Sequence, residues 1–195
     1  MLKKTLIALT GAMTVGVGFA GAVQAASFSG TIESDAATES STVDQYFVDV
    51  DTAGIVTFAA NAISGSLDPF VRLYTDDGFL DVSDLIAFND DGGPGFNSLL
   101  NINLGIGSYV LTFGDFFLEA NAVGPTQLDD DSPEGGDYTL DITGATVTRI
   151  LEGNLDGTFT ETSFVAEAVP EPASMLGLLA IGAVAAGGVL KKKAA

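Results

Sequence analysis

Tyr138-Thr139-Leu140-Asp141-Ile142-Thr143 alternates larger apolar residues with polar ones without a break, so an extended chain here would be apolar on one face only. Successive side chains of a strand point to opposite faces, and this period of two marks a half-buried β-strand. The same period recurs upstream. Tyr46, Val48 and Val50 alternate with Phe47 and Asp49, and Phe70-Val71-Arg72-Leu73-Tyr74 and Tyr109-Val110-Leu111-Thr112-Phe113 follow suit. Ile55 to Ala59 reads as a buried or half-buried strand. Further strands are expected at 27–32, 84–89, 97–103, 145–151 and 158–166, with a short one at 116–120 ahead of the acidic loop around Asp129-Asp130-Asp131-Ser132-Pro133-Glu134. Gly, Asp, Asn and Pro clusters punctuate these segments, and no stretch sustains a helical period beyond two turns. Roughly nine or ten short strands joined by such turns predict an all-β fold, an antiparallel sandwich. About 140 residues can bury a core without disulfides, and the 13 Phe residues are its expected filling.

The chain has 195 residues, enough for one ordinary domain with short appendages. It contains no Cys, His or Trp. Without Cys there is no disulfide, thiol nucleophile or Cys-zinc site. Without His there is no Ser-His-Asp triad, imidazole base or His-ligated metal. Residues 27–169 hold 25 of the 26 acids, all but Glu171, against two cations, Arg72 and Arg149, for a formal charge of −23. A surface this negative repels nucleic acid. The same stretch has no Lys to serve as base for a Ser nucleophile. Asp51-Thr52-Ala53-Gly54 differs from the Asp-Thr-Gly of aspartic proteases by Ala53 and has no second copy to form a dyad, so it reads as a strand end and hairpin turn. No catalytic residue is expected and the chain is read as a non-enzyme. A carboxylate-dependent glycan hydrolase is the alternative that so many acids leave open.

The remaining five cations sit at the two ends. Lys3 and Lys4, an apolar run from Leu6 to Phe19 and the small-residue site Val23-Gln24-Ala25 have the layout of a secretory signal peptide, 1–25, cut between Ala25 and Ala26 by signal peptidase. Residues 26–168 then form the exported acidic domain, and 169–195 a tail. In that tail Val169-Pro170-Glu171-Pro172 precedes 18 uncharged residues, Ala173 to Leu190, and then Lys191-Lys192-Lys193. As a helix, 173–190 would be about 27 Å long, barely a bilayer core. The positive-inside rule keeps its lysines cytoplasmic and the acidic domain outside.

Pro170-Glu171-Pro172, the Gly/Ala/Leu-rich span opening Ala173-Ser174-Met175-Leu176-Gly177-Leu178, and the terminal lysines together resemble the PEP-CTERM sorting signal of exopolysaccharide-producing Gram-negative bacteria. The resemblance covers about 25 residues. It implies that an exosortase-type membrane protease recognises and processes the tail, making the transmembrane helix a sorting intermediate on the way to the cell surface or medium. It also implies association with exopolysaccharide or biofilm. A permanently anchored accessory domain is the alternative if the tail is kept.

A second resemblance runs through the domain. Residues 44–50 (Asp-Gln-Tyr-Phe-Val-Asp-Val), 67–74 (Leu-Asp-Pro-Phe-Val-Arg-Leu-Tyr), 86–93 (Ile-Ala-Phe-Asn-Asp-Asp-Gly-Gly), 97–100 (Asn-Ser-Leu-Leu) and 104–111 (Leu-Gly-Ile-Gly-Ser-Tyr-Val-Leu) follow an order similar to bacterial pre-peptidase C-terminal-like domains. It spans about 44–113 and implies a small, secreted, jelly-roll-like sandwich that is not itself catalytic. No protease is attached here, and some 50 residues of further domain follow the motif.

Two turns concentrate hard oxygen donors: Asp76-Asp77-Gly78, with Asp81 and Asp84 behind it, and Asn89-Asp90-Asp91-Gly92-Gly93. Ca²⁺ takes six to eight such oxygens, so Asp68, Asp76, Asp77, Asn89, Asp90 and Asp91 form the candidate calcium set. The spacing is not that of an EF-hand. The same residues also serve as ordinary turn formers that bond their own backbone. Relief of crowded negative charge favours the cation.

Overall fold

The computed structural model describes residues 25–163 and 167–169, apart from 117, 120 and 129–133. Among these, fourteen strands, numbered in chain order, form three sheets. One five-stranded sheet runs β14 (Glu167–Val169), β1 (Ala25–Ile32), β11 (Gly136–Thr143), β5 (Gly54–Ala62), β8 (Ser98–Leu104). A six-stranded sheet runs β13 (Phe159–Thr162), β12 (Thr146–Gly153), β4 (Asp44–Val50), β9 (Gly107–Gly114), β6 (Phe70–Thr75), β7 (Leu85–Asn89). A small sheet joins β10 (Thr126–Leu128), β3 (Ser40–Thr42) and β2 (Ser34–Asp35). The strand pairs of all three sheets are antiparallel.

The alternation along 138–143 has its cause here. β11 lies between β1 and β5 and turns Tyr138, Leu140 and Ile142 inward, while Thr139, Asp141 and Thr143 stay half-buried. Those three inward residues meet Val56, Phe58 and Ala60 of β5 beside them. Facing them are Tyr46, Val48 and Val50 of β4, Val71 and Leu73 of β6, and Leu111 and Phe113 of β9. The chain is therefore a β-sandwich, closed by burial of one apolar face from each large sheet. Phe113 stacks on Tyr138 at 3.9 Å between ring centroids.

One acid belongs to this core. Asp44 is 1 % exposed, accepts a 2.5 Å hydrogen bond from Tyr138 Oη at Oδ2 and one from Gly153 N at Oδ1, and the two tyrosine hydroxyls of Tyr46 and Tyr138 meet at 2.7 Å. Burial pushes its carboxyl up to about 7, opposed by those two donors and assisted by Glu152 and Glu33. Nothing in the alternation of β4 announces it.

Three details differ from the expectation. Residues 116, 118 and 119 are not a strand: Leu118 N bonds back to Asp115 O and Ala122 N to Glu119 O, two successive turns. They carry Leu118 and Ala122 onto Val43 and Phe70, and the strand of this region is β10 instead. Arg72 pins the excursion by donating from Nε to Leu118 O at 2.6 Å. The expected strand 145–151 is β12, but its register to β4 slips between Val147 and Arg149. The short β2, β3, β10 and β14 bring the strand count above the nine or ten expected.

Among the described residues no helix is long and apolar enough to cross a membrane. The expected signal peptide lies outside the described residues except for Ala25, which opens β1, and the expected transmembrane segment 173–190 lies wholly outside them.

Candidate cation site at one end of a hairpin

β6 and β7 form a hairpin in which Val71 faces Asn89 and Leu73 faces Ala87. The register brings the residues just before β6 and just after β7 to one end, and those following β6 and preceding β7 to the other. Asp68 and Asp90-Asp91 therefore share an end. Their carboxylate oxygens lie within 4.8 Å of one another, Asp68 and Asp90 half-buried and Asp91 exposed.

The surrounding backbone is held by donors other than these acids. Asn89 Oδ1 accepts from Gly92 N at 2.9 Å and Leu99 N at 2.8 Å, which ties the turn to β8. A Cβ on Gly92 would come within 2.6 Å of Leu99 O, so a residue without one is required. Ser98 Oγ lies 2.6 Å from Pro69 O, 2.9 Å from Asn89 O and also against Asp90 O. A hydroxyl has one proton to give, so this corner has more acceptors than donors.

The excess is sharpest at the carboxylates. Oδ1 of Asp68 and Oδ1 of Asp90 are buried with no hydrogen-bond partner. Burial of such an oxygen without a donor is costly. Asp68 is accordingly harder to ionise: burial first, then the charges of Asp90, Asp91, Glu134 and Asp115, push its carboxyl up to about 6. Asp90 is raised too, by burial and then by Asp91. Three oxygen-bearing side chains with unpaired lone pairs and mutual repulsion are the donor set of a hard divalent cation.

Of the six residues singled out from sequence, these three come together. Asn89 stands beside them, but its oxygen is already engaged by two backbone amides. Asp76 and Asp77 lie at the other end of β6, about 20 Å away for a six-residue strand. There each bonds its own turn, Asp76 Oδ1 accepting from Gly78 N at 3.0 Å and Asp77 Oδ1 from Phe79 N at 3.1 Å.

The class of protein these observations define is an acidic, antiparallel β-sandwich. Its tail says where such a protein goes. Residues 168–193 match the model of the PEP-CTERM protein-sorting motif. The motif includes Pro170, Glu171 and Pro172, and it implies an exported protein sorted and processed by an exosortase-type protease. No curated protein matches the chain.

Proposed function

We propose that this is a non-catalytic binding or structural protein of the cell surface or extracellular matrix, released there after exosortase processing and associated with exopolysaccharide. The observation that carries the reading is the sorting motif at 168–193 behind an acidic sandwich. A domain at −23 repels both its own copies and anionic polysaccharide. A divalent cation held by Asp68, Asp90 and Asp91 would relieve that repulsion, and an ion needing six to eight oxygens keeps positions open for a partner's oxygens beyond three carboxylates. The pre-peptidase C-terminal-like resemblance is part of the same proposal. Its five segments fall in order on β4, on β6 with the loop before it, on β7 with its turn, on the start of β8, and on the end of β8 with the first part of β9, in an antiparallel sandwich.

The test is the intact mass of the protein recovered separately from inner membrane, cell surface and medium. The proposal expects a surface or medium form that has lost the residues after Pro172. A full-length tail confined to the inner membrane would overturn it in favour of a permanently anchored domain.

A further inference from the structure

At the end of the six-stranded sheet opposite the carboxylate cluster lies a cleft of about 370 Å³ on its outer face. That volume is at the low end of small-molecule sites. Phe47 and Asp49 of β4, Thr148 and Arg149 of β12, Ser108 of β9 and Asp76 after β6 line it.

The cleft is built by the register slip in β12. Val147 and Ile150 are both buried, three residues apart, and the two residues between them, Thr148 and Arg149, are both exposed. In a regular strand one of that pair would point into the core. The bulge turns both outward, and re-aiming a side chain is a recurrent use of such bulges. Arg149 thereby lies over the Phe47 ring at 3.6 Å. Among the described residues it makes no ion pair with a carboxylate, although the domain is crowded with acids. Its guanidinium edge keeps its N–H donors.

The acceptors opposite are held in place. Asp49 Oδ1 accepts from Ser108 Oγ at 2.7 Å. Asp76 is anchored by its amide on Ser108 O and by Gly78 N on its Oδ1. Each carboxylate retains acceptor capacity beyond those bonds.

The mixture selects the ligand. A simple anion drawn to Arg149 meets two carboxylates and the field of the whole domain. A simple cation drawn to Asp49 and Asp76 meets the guanidinium. A neutral group that both donates and accepts satisfies both sets at once, its hydroxyl protons going to the carboxylates and its oxygens taking the guanidinium N–H groups. We propose that this cleft binds a neutral polyhydroxylated ring, one sugar unit of a glycan. The site is separate from the carboxylate cluster and depends on neither the sorting tail nor a bound cation.

The test uses the full chain in a zwitterionic detergent without a sugar headgroup, with saturation-transfer NMR against cellotetraose, maltotetraose and mannotetraose, and against galacturonate and alanine as charged and zwitterionic probes. Transfer to at least one neutral oligosaccharide is expected, with affinity reduced about tenfold in Arg149→Lys and in Asp76→Asn, as loss of a charged hydrogen bond gives. Asp68→Asn should bind as the parent does. Both cleft variants alter exposed or half-buried groups conservatively, and their folding is checked by circular dichroism. No transfer to any of the three oligosaccharides, or transfer that both folded variants leave unchanged, overturns the proposal. Galacturonate or alanine binding in their place overturns the ligand class. Either result leaves the surface-protein reading to the mass measurement.

Discussion

The two ends of the β6–β7 hairpin are built from the same residue types and treat them in opposite ways. Beyond β6, Asp76, Asp77 and Asp81 each find a backbone amide two residues on, at Gly78, Phe79 and Ser83. Asp84 completes the cap of the short 3-10 turn Val82–Asp84 by accepting from Asp81 N. At the other end Asp68 and Asp90 have buried oxygens with no donor, and the amides of Gly92 and Leu99 are taken by Asn89. The first end uses carboxylates as turn formers and holds Asp81 below the ordinary carboxylate range through its bonds from the Ser83 side chain and amide. The second raises Asp68 and Asp90. An acidic turn becomes a candidate ligand set when its amides are already spent on something else.

The largest expected effect sets the background for that comparison. Asp44, at about 7 in the fold against an ordinary 3.8, binds its proton more tightly folded than unfolded. Its contribution is therefore complete below about pH 4 and lost as pH rises through 7, and Asp68, at about 6, moves the same way. In chelator, thermal unfolding should show stability falling by on the order of 2–4 kcal/mol across that window. Most of the slope should vanish in Asp44→Asn, and a slope of the opposite sign would contradict the assignment.

The glycines separate the ends next. Gly92→Ala forces a Cβ against Leu99 O and the Asn89 side chain and should destabilise by about 1–3 kcal/mol. Gly78 has open space around it and a φ of +95°, so Gly78→Ala meets only the left-handed backbone penalty, about 1 kcal/mol. Equal costs in urea titrations would remove the claim that the 89–93 turn is the tighter construction.

The smallest effects differ in sign. Without divalent cations, Asp68→Asn removes a repelled, poorly satisfied charge and should raise the melting temperature at pH 7. Asp81→Ala removes the cap on Ser83 N and should lower it. Two shifts of the same sign would erase the contrast between the ends.

Much of this architecture is legible in the amino-acid sequence. Period two locates β11 and most of β4, which are buried chiefly on one face, and also β6 and β9, whose larger apolar residues alternate although both of their faces are largely buried. It fails in the expected strand 116–120, where Leu118 instead packs with Val43 and Phe70 under turns that no alternation encodes. It is also blind to the β12 bulge, although Val147-Thr148-Arg149-Ile150, with apolar residues three apart, carries that signal. The acidic turns are visible in the sequence, but their division is not. The hairpin register decides which carboxylates meet, and along the chain Asp76 stands closer to Asp68 than Asp90 does. Asp44 has the look of a strand-edge acid, and only its distant donors, the Tyr138 hydroxyl and the Gly153 amide, show why it is buried.

Calorimetric titration of the full chain with CaCl₂ at pH 7.5 tests the contrast most directly, with Asp68→Asn, Asp90→Asn and Asp76→Asn run beside the parent. One Ca²⁺ should bind to the parent, with binding abolished in Asp68→Asn and Asp90→Asn and left intact in Asp76→Asn. No binding heat in the parent, or binding lost only with Asp76, would contradict it.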